Sequence, residues 1–135
     1  MKFKYRLYGD SRRPVIPVII SNHGSYIQSE VLIDSGSDRC FFDQEIAEVL
    51  GIDQDHCTKQ EVFGVGGKIL SYYTYPVMMT VGGKSYSIEA GFMKFLGGGI
   101  VPYGFVGQKG FFENFIVRFD LRNNGIELED TNRSK

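Results

Sequence analysis

A chain of 135 residues, 42% hydrophobic and 14% aromatic, carries enough apolar material for one sizeable core, which excludes a disordered tail and points to a single domain. Fifteen basic residues against sixteen acidic ones leave a net charge of -1, so no global field recruits nucleic acid or an anionic membrane. The opening MKFKYRLYGDSRR lacks the apolar core of a signal peptide, and no apolar run approaches the roughly 20 residues of a membrane span; the expectation is a soluble, cytoplasmic chain without a membrane partner.

Along the chain, Pro14-Val15-Ile16-Pro17-Val18-Ile19-Ile20 is apolar and β-branched, Asn22-His23-Gly24 has turn chemistry, and Tyr26 to Ile33 is apolar again, which predicts a hairpin. Asp34-Ser35-Gly36-Ser37 then ends the apolar run. Phe42 to Gly51 predicts a helix with Asp43 as N-cap, Ile46, Val49 and Leu50 on its apolar face, and Gly51 as its stop. Tyr72, Tyr73 and Tyr75 share one segment and are read as packing residues. Phe41 and Phe42 are read as core beneath the preceding loop.

Val77 to Val81, Gly82-Gly83 and Lys84 to Ile88 predict a second hairpin, because a Gly-Gly pair supplies the positive φ values of a tight turn. Gly97-Gly98-Gly99 reads as a flexible connection; no Lys-Ser/Thr follows it, so it is no phosphate loop. Gln108 to Asn114 predicts a short helical turn. Phe115 to Leu121, Asn123-Asn124-Gly125 and Ile126 to Leu128 predict a third hairpin, and Asp130 to Lys135 a frayed polar end. Short strands divided by turns at this spacing predict a mainly β barrel or sandwich with one or two short helices. Cys40 and Cys57 form neither a Cys-x-x-Cys pair nor a cluster, and His56 beside Cys57 has no second pair of ligands, so neither a disulfide framework nor a metal or other cofactor is expected.

The chemistry concentrates at Asp34. A carboxylate at the end of a buried strand is either tied down in a turn or kept for reaction. Gly36 allows a tight turn and a close approach of another chain, while the short hydroxyls of Ser35 and Ser37 can donate to carboxylate or backbone oxygens. Taken alone, these residues also suit an ordinary turn.

Further features follow in order: the glycine-tipped segment Phe63-Gly64-Val65-Gly66-Gly67, the unit Phe105-Val106-Gly107, and a closing helix-plus-strand from Phe111 to Leu121. With the strand into Asp34-Ser35-Gly36-Ser37, this succession resembles the retroviral-type, or retropepsin-like, aspartic proteases over most of residues 15–128. The resemblance implies a closed single-domain β-barrel and an aspartic endopeptidase acting on extended polypeptide without metal or covalent nucleophile. Asp34 matches the catalytic acid and base, Ser35 the position whose hydroxyl reaches toward a second subunit, and Gly36 the turn beside substrate backbone. Ser37 and Asp38 match substrate-contacting positions, and Gly64, Val65, Gly66 and Gly67 resemble a flap that closes over peptide. Since the chain has one Asp-Ser-Gly motif, the resemblance implies a homodimer that pairs two copies of Asp34 across a two-fold axis.

Two departures are visible. Gln108 follows the apolar-apolar-Gly unit where viral relatives often carry arginine, and residues 131–135 are polar where viral enzymes use apolar terminal strands to knit the dimer. The chain begins with Met1 and is read as a self-contained cellular relative. Two other readings of the residues stand beside the peptidase: a catalytically silent peptide-binding module on the same barrel, and a scaffold in which Asp34 caps a turn.

Overall fold

The computed structural model describes residues 1–63, 66–67, 69–95 and 103–131. Its elements are β1 (Lys2–Phe3), β2 (Arg6–Tyr8), β3 (Ser11–Arg13), β4 (Val15–Asn22), β5 (Ser25–Ile33), β6 (Phe41–Asp43) and α1 (Gln44–Val49), then a 3-10 turn at Gln54–His56. They continue with β7 (Thr58–Phe63), β8 (Ile69–Val81), β9 (Lys84–Met93), β10 (Gly104–Val106), β11 (Phe115–Asp120) and β12 (Gly125–Asp130). In the main sheet the order is β4-β5-β10-β6-β9-β8-β7, and an additional β4–β8 pairing closes six of these strands into a barrel.

Alternation along the strands builds the core. Ile16, Val18 and Ile20 of β4, Val31 and Ile33 of β5, Val77, Met79 and Val81 of β8, and Ile88, Ala90 and Phe92 of β9 turn one face inward, as period-2 patterning requires. Each Val, Ile, Met or Phe among them contributes roughly 1.5–3 kcal/mol by leaving water. Two of the expected hairpins close on two-residue turns with both central residues at positive φ, His23 and Gly24 (45° and 85°) and Gly82 and Gly83 (56° and 85°). That geometry matches the right-handed twist of the flanking strands.

β8 serves two purposes. Its second half, Val77 to Val81, lines the barrel with odd-numbered residues, whereas in its first half Tyr72 and Thr74 are the buried ones. That first half pairs with β7 from Thr58↔Thr74 to Phe63↔Ile69, so the β7–β8 hairpin extends the sheet beyond the closed ring. A second, three-stranded sheet, β1-β12-β11, packs Phe115, Ile126 and Leu128 into the core. Met1 joins it through both main-chain groups: its ammonium donates to Leu128 O (3.0 Å) and its carbonyl accepts from Leu128 N (2.9 Å).

Several expectations change in detail. Asp43 does cap α1, accepting from Glu45 N, but Phe42 and Asp43 belong to β6, where they pair with β9. Ala47 and Leu50 are buried with Ile46 beside them, and Val49 is 58% exposed, because six helical residues present only a narrow stripe to the barrel. Gln108 to Asn114 forms turns in place of a helix. Gly110 sits at φ 95°, off the right-handed helical path, and the N–H groups of Phe112 and Glu113 reach back five residues, to Gly107 O and Gln108 O. The polar end starts later than Asp130, which belongs to β12, and Thr131 N donates to Asn114 O. Gly97-Gly98-Gly99 and residues 132–135 lie outside the described residues.

Candidate active site

Three segments place Asp34. β5 delivers it at the end of an apolar strand, and the loop 34–40 carries the chain away. β10 slides between the two limbs of that loop, parallel to β5 through Gly104↔Val31, Phe105↔Leu32 and Val106↔Ile33, and antiparallel to β6 through Phe105↔Phe41. The strand that runs into the acid is therefore clamped by a segment some seventy residues later in the chain.

The clamp extends into the loop itself. Asp34 N donates to Val106 O (2.9 Å), Gln108 N to Ser37 O (2.9 Å), and Lys109 N to Asp38 O (2.9 Å). These bonds draw the two backbones so close that a Cβ on Gly107 would lie 2.3 Å from Ser37 O and 2.6 Å from Arg39 O. Glycine at 107 is thus a steric condition for the clamp, since neither neighbour is the movable end of a side chain.

Within the loop Gly36 N donates to Asp34 Oδ1 (2.9 Å), and Ser37 N donates to Asp34 O (3.1 Å). A Cβ at position 36 would stand 3.2 Å from that same Oδ1, tight enough to press on this bond. Asp34 is half-buried, and its Oδ2 makes no hydrogen bond among the described residues. The carboxylate is held by one oxygen and offers the other.

The remaining expected residues divide. Ser35 and Asp38 are exposed at the loop surface, free of side-chain hydrogen bonds within the described chain. Ser37 is half-buried and its hydroxyl donates to Arg39 O (2.8 Å), which makes it a brace of the loop. Gly66 and Gly67 form the exposed turn beyond β7, at φ 85° and 77°. Gly64 and Val65 lie outside the described residues. Gln108, read from sequence as a departure, proves to be a working part: its Nε2 donates to Ser35 O (3.0 Å), a further tie from the β10 side onto the same loop. Its place directly after Phe105-Val106-Gly107 was the signal available.

Beneath the loop Cys40 is fully buried, its Sγ 3.5 Å from Lys109 O, and burial pushes its thiol up to about 11, where it stays protonated and unreactive. Phe42 is core, as expected, whereas Phe41 is half-buried on the opposite face with its ring 5.0 Å from that of Tyr72, edge to face. Tyr72 is buried, and Tyr73 and Tyr75 are half-buried, in keeping with packing roles. Among the described residues no group of three or more His, Cys, Asp or Glu side chains is placed to hold a metal ion, and no helix is long and apolar enough to cross a membrane.

No family model matches this chain, and no curated protein matches it in sequence. Among solved structures it is similar to EIAV protease complexed with the inhibitor HBY-793, with a TM-score of 0.51 and 20% identity over 76% of this chain and 88% of that one. At that identity the likeness shows the fold.

Proposed function

We propose that the chain is an aspartic-type endopeptidase whose single active site is shared by two copies, each supplying Asp34. The observation that carries the reading is the way Asp34 is held: its main chain is locked to β10, one carboxylate oxygen accepts Gly36 N, and the other is without a hydrogen bond among the described residues. Support comes from a retropepsin-like fold and from a solved structure of that fold named as a protease bound to an inhibitor.

The chemistry follows from two such carboxyls facing each other. Like charges that close cannot both ionise, so the pair holds one proton and titrates as a unit. The ionised member accepts a proton from a water lying between them as that water attacks the peptide carbonyl; the protonated member donates to the carbonyl oxygen, where negative charge develops. Each proton moves between groups within hydrogen-bond reach, so no covalent intermediate is required. The β7–β8 hairpin, glycine-tipped and extending beyond the barrel, would cover an extended polypeptide and exclude water.

A second copy is needed because the chain carries one Asp-Ser-Gly motif. Since β1 and β12 pair with each other inside one chain, the two copies would meet through their 34–38 loops, with the exposed Ser35 hydroxyls at the axis. Such an interface is small, so activity is expected to fall on dilution.

The test is digestion of an unstructured peptide mixture from about pH 4 to 7, where a coupled carboxyl pair can hold one proton. New termini are read by mass spectrometry for wild type and Asp34→Asn. Termini that appear with wild type alone support the reading. Equal cleavage by both proteins would reject it, and retained peptide without cleavage by a dimeric wild type would select the binding module.

A further inference from the structure

We propose that Arg39 is a specificity residue of this cleft, one that selects polypeptides carrying an Asp or Glu side chain beside the bond to be cleaved. The inference rests on the reading of the cleft as a peptide site.

Arg39 belongs to the loop that carries Asp34, but its side chain leaves the barrel interior. Cys40 and Phe42 turn into the core, whereas Arg39 and Phe41 turn the other way, onto Tyr72. Room for both comes from Gly91: a Cβ there would lie 2.7 Å from the Phe41 ring and 3.4 Å from Arg39 Cδ. The guanidinium carbon stands 5.7 Å from the centre of the Tyr72 ring, a cation–π contact. Tyr72 sits on the part of β8 that pairs with β7. Arg39 therefore lies at the joint between the acid-bearing loop and the hairpin arm, the two borders of the proposed cleft.

Its electrostatic state is unusual for so enclosed a group. The side chain is 15% exposed, yet among the described residues the guanidinium makes no hydrogen bond. Its ion-pair partner is Glu89, whose Oε1 is 3.9 Å from an Arg39 terminal nitrogen and whose side chain is 58% exposed. A charge-assisted hydrogen bond would bring such atoms to about 2.7–2.9 Å. Arg39 is thus packed and oriented, with its donors uncommitted.

A planar guanidinium fork in that condition matches a carboxylate, which can accept two parallel bonds. Because the stem is already packed, little rotamer entropy is lost when the pair forms. Partial shielding from water makes the pair worth more than an exposed surface contact. Glu89 alongside favours a singly charged carboxylate over a doubly charged phosphate.

The test uses a randomised peptide library panned on immobilised Asp34→Asn protein, which holds peptide without consuming it. The same background is then made with Arg39→Gln, Arg39→Glu, Arg39→Lys or Glu89→Gln, each checked for folding by circular dichroism. The starting protein is expected to enrich Asp or Glu at one position over Asn or Gln by roughly tenfold to a hundredfold, the range of a charge-assisted hydrogen bond. Arg39→Gln should abolish that enrichment, Arg39→Lys should reduce it, Arg39→Glu should replace it with Lys or Arg, and Glu89→Gln should strengthen it. A merely structural anchor would alter stability and leave the preference where it was. Peptides retained without acidic preference, or with a preference unchanged in Arg39→Glu, reject the role of Arg39 and leave the cleft standing. No retention by folded protein rejects both.

Discussion

Asp34 and Asp120 both stand at strand ends, each followed by residues that turn the chain, and their carboxylates are used differently. At Asp120 the turn consumes the acid: Oδ1 accepts Asn123 N (3.2 Å) and Oδ2 accepts Asn123 Nδ2 (2.9 Å). The Asn123 side-chain amide, and after it the Asn123 N–H, hold the Asp120 carboxyl below its usual value of 3.8. At Asp34 the loop takes one oxygen through Gly36 N, and the rest of the restraint acts on the backbone, through Val106, Gln108 and Lys109. A turn-capping acid is fixed by its immediate neighbours. The acid proposed for catalysis is fixed by a distant strand, and one of its carboxylate oxygens has no hydrogen bond among the described residues.

This contrast can be broken by substitution. The largest effect is expected on activity: Asp34→Asn should lower the rate of peptide cleavage by about a thousandfold or more, while Asp120→Asn leaves it within about twofold, as measured by release of new termini. If both variants lost activity together, the distinction between the two acids would fail. Next comes the clamp. Gly107→Ala forces a Cβ against Ser37 O and Arg39 O and should cost about 3 kcal/mol, read as a fall in the urea midpoint at unchanged slope. An unchanged midpoint would mean that the loop is not held as described.

Cys40 reports the same clamp through pH. Burial raises its folded-state value from 9.0 to about 11, so the contribution of the neutral thiol to stability is fully present below pH 9 and is lost as pH rises from 9 toward 11. Thermal unfolding of wild type and Cys40→Ala across that window should converge as pH rises. Native protein at pH 8 should also resist alkylation at Cys40, and rapid labelling would show the loop open. Gln108→Ala removes one bond to Ser35 O and should cost about 1 kcal/mol in chemical unfolding; no loss would make that tie incidental. The smallest effect belongs to Asp120. Since its folded value is depressed, its contribution is present above pH 3.8 and fades as pH falls through the lower folded value, so the advantage of wild type over Asp120→Ala in thermal midpoint should shrink below about pH 4. A constant difference from pH 6 to 2 would sever the Asn123 link.

Local chemistry explains what could be read in the sequence. Hairpins closed by His23-Gly24 and Gly82-Gly83 announce themselves because the turn type favours glycine at its positive-φ positions, and the cap of α1 was legible because Asp43 is a residue type that helix N-termini favour. The glycine-acid loop was legible as a loop. Its clamp was less so: β10 is three residues long, and nothing in Gly104-Phe105-Val106 states that it inserts between β5 and β6. The 3.6-residue pattern placed Val49 with the apolar face of α1, yet six helical residues offer too little surface for every apolar side chain to find the barrel. The tie made by Gln108 and the role proposed for Arg39 depend on partners at Ser35, Tyr72 and Glu89, contacts across the fold that local patterning does not encode.

Two Asp34 carboxylates, one from each of two copies, are proposed to make one site. Wild type and Asp34→Asn protein mixed at constant total concentration, allowed to exchange subunits and then given a peptide that wild type cleaves, test it most directly. The cleavage rate is expected to fall as the square of the wild-type fraction, since a mixed pair lacks one carboxyl. A rate that falls in simple proportion to that fraction would show that each chain works alone, and absence of cleavage by undiluted wild type would rule out the peptidase itself.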